Sequence, residues 1–223
     1  WKEFLKCYID EIYKLGVNSI PIVIIISLFI GAVIAIQMQL NIVSPLLPKY
    51  TVGVATREII LLEFSSTMLA LILSGKVGSN IASEIGAMRV TEQIDALEIM
   101  GINSANYIIL PKIAGMVTFM PVLVIFSMAT GILGSYAIAV LTGIISISVL
   151  TYGIQAFFNE FYIWYALFKS LFFAYIISSI ASFYGYTVKG GSLQVGKAST
   201  NAVVVSSVMI LLIDVIITQI MMG

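Results

Sequence analysis

The sequence predicts an all-α integral membrane protein: an N-terminal interfacial amphipathic helix, five transmembrane helices, or six if one long run splits, and a cytoplasmic helix between the second and third spans. Three observations predict it. Sixty per cent of the 223 residues are hydrophobic, with a mean hydropathy of +1.09. Only 10% are charged, against roughly 25% in soluble domains. The apolar residues also gather into runs long enough to cross roughly 30 Å of hydrocarbon.

Residues 1–18 place Phe4, Leu5, Tyr8, Ile12 and Leu15 at helical spacing, with Lys2, Lys6, Asp10, Glu11 and Lys14 largely on other faces. That pattern predicts a helix lying in the interface plane. The first span covers 19–43, with Pro21 suited to a first helical turn. Residues 44–53, SPLLPKYTVG, read as a short external loop. The second span, 57–80, carries Glu63, and a surface helix is expected over 83–100. The third span, 105–142, is too long for one straight crossing of about 20 residues, so it either projects from the membrane or breaks at Gly131 and Gly134. Residues 143–162 read as a short extramembrane or re-entrant element. The fourth span, 163–185, carries Lys169, and a Gly-rich polar loop leads to the fifth, 199–222, with Asp214. The whole of 1–223 is expected to form one membrane domain.

The positive-inside rule orients the chain. With the N-terminus cytoplasmic, Lys2, Lys6, Lys14, Lys76, Arg89, Lys112, Lys189 and Lys197 fall inside and only Lys49 and Arg57 outside. The C-terminus is then external.

Composition excludes several classes. Eleven basic and eleven acidic residues give no net charge, which removes the electrostatic argument for nucleic acid. One cysteine, Cys7, allows no intrachain disulfide, and the absence of histidine rules out His-based triads and zinc sites. No nucleophile lies beside a base at recognisable spacing, so the chain is not expected to be an enzyme. It opens on Trp1 without the order of a signal peptide and without Met, as a fragment would. Gly191–Ala198, GSLQVGKA, mimics a phosphate loop, but Ala198 stands where a magnesium-binding hydroxyl is needed and a span rather than a strand precedes it. Nucleotide binding is therefore not expected in this chain.

Two sets of polar residues remain. Within 75–111, Ala87, Val90, Ile94 and Leu97 share one helical face, while Glu84, Arg89, Glu92, Asp95 and Glu98 supply charges for local or partner contacts. Gly78, Ala82 and Gly86 form a small-xxx-small series that permits close helix approach. The other set is Glu63, Lys169 and Asp214, which the five-span topology places at similar depth. An ionisable group in hydrocarbon costs on the order of 3 kcal/mol or more unless paired or wet, so a shared cavity is expected for the three.

The stretch GKVGSNIASEIGAMRVTEQIDALEIMGINSANYIILPKI, with LFKSLFFAY at 167–175 and VGKASTNAVVVSSVMILLIDVIIT at 195–218, closely resembles the MlaE permease family, the membrane subunits of lipid-transporting ABC transporters. The resemblance spans nearly the whole chain. It implies a homodimer in the bacterial inner membrane, clamped by two cytoplasmic ATPase subunits that hold ATP and magnesium; this chain would carry no cofactor. Its coupling helix maps onto 83–100, making Glu84, Arg89, Glu92, Asp95 and Glu98 the ATPase-coupling residues. Its external partner is a periplasmic MCE-domain lipid carrier, and Glu63, Lys169 and Asp214 are the substrate-binding residues for phospholipid. One departure stands out. Where the family commonly has Arg-Glu-Leu-Gly-Pro, this chain reads Leu62, Glu63, Phe64, Ser65, Ser66, which leaves Lys169 as the only cation expected inside a span. The alternatives are an ion-coupled transporter or channel using the same carboxylates, and a structural scaffold of an MCE complex.

Overall fold

The computed structural model describes residues 2–42 and 48–223, and all regular structure among them is helical. Helix α1 (Lys2–Glu11) continues through a wide π-helical turn, Ile12–Gly16, and a tight turn, Val17–Ser19, into α2 (Ile20–Asn41). A second helical run comprises α3 (Thr51–Ile59), a π-helical stretch Ile60–Met68, α4 (Leu69–Leu73), a π-helical turn Ser74–Gly78 and α5 (Ser79–Val90). The short α6 (Gln93–Ile99) follows. A π-helical turn, Ala105–Ile109, opens α7 (Leu110–Thr142), and α8 (Ile147–Gln155), α9 (Phe161–Tyr186) and α10 (Ser192–Met222) complete the chain. Among the described residues, five runs are long and apolar enough to cross a membrane: Phe4–Asn41, Thr51–Val90, Ala105–Thr142, Phe161–Tyr186 and Ser192–Met222. The predicted all-helical, five-span class is therefore observed.

Several boundaries differ from expectation. The second run begins at Thr51, six residues before the predicted start at 57, so Arg57 lies inside a helix, 1% exposed, and not at the outer edge of a span; Lys169 is not the only cation buried within a helix. Of the predicted loop 44–53, residues 44–47 lie outside the described residues, as does Val43, and 51–53 are already helical. The expected helix 83–100 is two pieces, because Glu92 adopts a left-handed conformation (φ 59°, ψ 15°) that ends α5 and restarts the chain as α6. Residues 192–198, expected in a loop, begin α10; of the neighbouring glycines it is Gly190, at φ 112°, that turns the chain.

The chain divides into two compact units. One comprises Ile20–Leu69 and Val122–Phe168. In it α2 packs against α7 with almost no separation: a Cβ on Gly134 would overlap the Leu28 backbone, and one on Gly31 the Gly131 carbonyl. The glycines that sequence offered as a helix break are instead a contact surface, and α7 runs through them for 33 residues, about 50 Å at 1.5 Å per residue. The Ser27 and Ser127 hydroxyls bond at 2.8 Å across this crossing. Ile34, Ile60 and Phe64 form one apolar cluster and Ala35, Val52, Ala139, Ile145 and Leu150 another.

The other unit comprises Trp1–Ser19, Ala70–Pro121 and Lys169–Gly223. Here the small-residue series of α5 works as its spacing predicts. A Cβ on Gly86 would meet Val195 at 3.1 Å and Val188 at 3.4 Å, while one on Gly185 would meet the Ala82 carbonyl at 2.8 Å. Close backbone approach of this kind lets α5 pack tightly against α9 and α10. Side chains follow it: Ser74 bonds Ser207 at 3.1 Å and Ser199 donates to the Ser79 carbonyl at 3.2 Å.

Candidate functional site

Among the described residues, one buried charged contact joins α9 to α10. Lys169 is fully buried and forms an ion pair with Asp214, whose side chain is 15% exposed. Apolar helices bring these two sequence-predicted residues together, as the cost of an isolated buried charge requires. Glu63, in the other unit, is exposed and accepts a hydrogen bond from Thr67 at 3.3 Å.

Most charges of the 75–111 stretch have partners within the chain. Lys112, 2% exposed, donates to Glu84 and to Glu11 at 2.7 Å each, and Lys14 lies 3.5 Å from Glu84. This joins α1, α5 and the start of α7 in one network, with Tyr8 adding a 2.9 Å bond to Thr118. Arg89 pairs with Asp95 at 2.6 Å and lies over the Tyr186 ring, 5.7 Å from its centre. Glu98 accepts from the Tyr186 hydroxyl at 2.8 Å and from Ser104 at 2.9 Å. These hydrogen bonds, Tyr186 first and Ser104 second, hold the Glu98 carboxyl below the usual carboxylate range. The result is a bent α5–α6 element pinned to the end of α9. Ile94 faces inward, fully buried, while Ile99 and Met100 are 87% and 65% exposed and Glu92 stands at the bend.

Four of the five predicted coupling residues, Glu84, Arg89, Asp95 and Glu98, thus hold the element in place. The exposed surface at its tip mixes Thr91, Glu92 and Gln93 with the apolar Ile99 and Met100, and a reading centred on charge does not single out Ile99 and Met100. Lys112 and Glu11 were also missed: they lie 101 positions apart, and no local spacing signals such a pair.

Arg57 is the third buried cation among the described residues. Its Nη1 donates to the carbonyls of Ile154 at 2.9 Å and Ala156 at 2.6 Å, and Nη2 to Phe157 at 3.4 Å. It therefore caps the C-terminus of α8, satisfying carbonyls that a helix end leaves open. Its ring contact is Phe158, 5.7 Å away.

Comparison with known proteins gives one consistent answer. A model of the family described as Permease MlaE matches residues 8–220. A probable ABC transporter permease protein of Rickettsia bellii is 31% identical over 220 residues, covering 97% of this chain and 83% of the relative. The intermembrane phospholipid transport system permease protein MlaE of Haemophilus influenzae is 32% identical over 216 residues, covering 96% and 82%. A probable ABC transporter permease protein of Synechocystis is 31% identical over 198 residues, covering 89% and 75%.

Proposed function

The chain belongs to the MlaE permease family, and from that premise we propose that it is the membrane subunit of an ABC transporter moving phospholipid between the bacterial inner membrane and a periplasmic MCE-domain carrier. Two copies pair as a homodimer. Separate ATPase subunits hold ATP and magnesium and dock on the cytoplasmic side.

The observation that carries the reading is the buried ion pair of Lys169 with Asp214 within long apolar helices. A charge pair there is expensive to keep unless it has work to do. In the proposed cycle Lys169 attracts the lipid phosphate and Asp214 orients the ammonium. The α5–α6 element receives the ATPase: exposed Ile99 and Met100 offer an apolar contact, and internal ion pairs make the element stiff enough to transmit a push.

The test is reconstitution of the permease with its ATPase and carrier in proteoliposomes, following transfer of a labelled phospholipid. Lys169→Met is expected to lower transfer by about tenfold or more, the effect of losing roughly 1.4 kcal/mol of lipid interaction. Unchanged transfer would remove the head-group role from Lys169.

A further inference from the structure

Within the unit of Ile20–Leu69 and Val122–Phe168, a cavity of about 570 Å³ is walled by Leu61, Met128, Ala129, Ile154 and Phe158, with Arg57 as the charged residue on its lining. That volume lies in the range of roughly 300–1,000 Å³ common to ligand sites.

The state of Arg57 indicates what the cavity suits. Its hydrogen bonds to the end of α8 use Nη1 fully, but the Nη2 contacts, to the Phe157 carbonyl and Glu58, are long at 3.4 and 3.5 Å. Its Nε–H is buried and has no acceptor among the described residues. Charge is also incompletely balanced. The α8 C-terminus offers the equivalent of about half a negative charge, and the Glu58 side chain is 39% exposed, so water screens its contribution. A guanidinium that is 1% exposed is costly in this condition. The Nε–Nη2 edge is the planar fork that takes two oxygens of a carboxylate or phosphate at once.

We propose that this cavity is a lipid site: an acyl chain lies against Leu61, Met128 and Ala129, and an anionic oxygen of the same amphiphile binds the Nε–Nη2 edge of Arg57. The site deepens the phospholipid reading, on which it rests, by adding a second anion-binding cation that does not involve Lys169. A phospholipid phosphate and a fatty-acid carboxylate share the required chemistry.

The experiment uses the permease with its partner subunits in nanodiscs and three probes bearing the same tail diazirine: phosphatidylglycerol, a fatty acid and a diacylglycerol. Either anionic probe is expected to label residues 125–132 at least about fivefold more than diacylglycerol. Labelling by phosphatidylglycerol alone identifies phosphate as the source, and labelling by the fatty acid alone identifies carboxylate; either supports the site. Ala129→Trp narrows the cavity and leaves the Arg57 residue in place, and Arg57→Lys keeps the cation while removing the fork; each is expected to lower labelling by about fivefold. Equal labelling by diacylglycerol, or full labelling of Ala129→Trp, would overturn the proposal. ATP-driven lipid transfer measured in the same complex separates the two readings. Transfer without labelling removes this site alone, whereas labelling without transfer removes the transport reading and leaves the site.

Discussion

Lys112 and Arg57 are both cations buried in helices, and the protein satisfies them in opposite ways. Lys112 has two carboxylates at 2.7 Å, so its charge is more than matched and nothing is left to offer a ligand. Arg57 has carbonyls for partners, one distant and exposed carboxylate, and an unused Nε–H. The first arrangement fixes structure, joining α1 to α5 and α7. The second fixes the end of α8 and keeps a residual positive charge beside an apolar cavity. Buried charge is thus a structural device in one region and a recognition device in the other, and the partners decide which.

The largest effect should come from breaking the matched network. Lys112→Met leaves Glu11 without its cation and Glu84 with only the half-exposed Lys14, a loss of about 3–5 kcal/mol. Purified protein should melt well below wild type, and Lys112→Arg should recover much of the difference. A Met variant with wild-type melting would mean the network is incidental.

Arg57 should be less costly to change. Arg57→Lys retains a donor to the α8 carbonyls and loses the fork, so one charge-assisted bond, worth about 1.5–3 kcal/mol, is at stake. Limited proteolysis between α8 and α9 should increase while the global melt shifts little; collapse of the whole protein would place Arg57 with Lys112 as a purely structural cation.

Most of the architecture is legible in the sequence because apolar runs and their lengths dictate spans directly. The five-span count, the series Gly78, Ala82 and Gly86, and the proximity of Lys169 and Asp214 all follow from periodicity and the cost of buried charge. What escaped depends on contacts remote in sequence. Arg57 beside Thr56 and Glu58 looks like an external cation at the edge of a span until the carbonyls of α8 are placed against it. The break at Glu92 was invisible because a left-handed glutamate has no signature that distinguishes it from a helical one. Gly131 and Gly134 read as a possible break in a long run, and the close approach of Gly31 and the Leu28 backbone shows them as a contact surface.

Smaller effects sharpen the contrast between fixing and transmitting. Arg89 and Asp95 are 33% and 48% exposed, so reversing either charge should cost only about 0–1 kcal/mol in stability. The coupling reading nevertheless predicts that Arg89→Glu uncouples ATP hydrolysis from lipid transfer, and that adding Asp95→Arg restores it. A reversal that leaves transfer untouched would remove this pair from the coupling element.

The smallest effect is that of pH on α6. Glu98 has its carboxyl held below the usual range by Tyr186 and Ser104. Its contribution to holding α6 is therefore complete above the unfolded carboxylate value of about 4.3 and is lost as pH falls through the lower folded value. Tyr186→Phe removes the larger cause and should move that loss to higher pH, read as faster hydrogen exchange in 93–99. An unchanged profile would show that the Tyr186 hydroxyl does not hold α6.

The most direct test of the central claim is the energy source of lipid movement. With the permease, its ATPase and a carrier in proteoliposomes, labelled phospholipid should move on addition of ATP and magnesium, stop when the ATPase is omitted, and ignore an imposed ion gradient. Movement driven by the gradient without ATP would contradict the account.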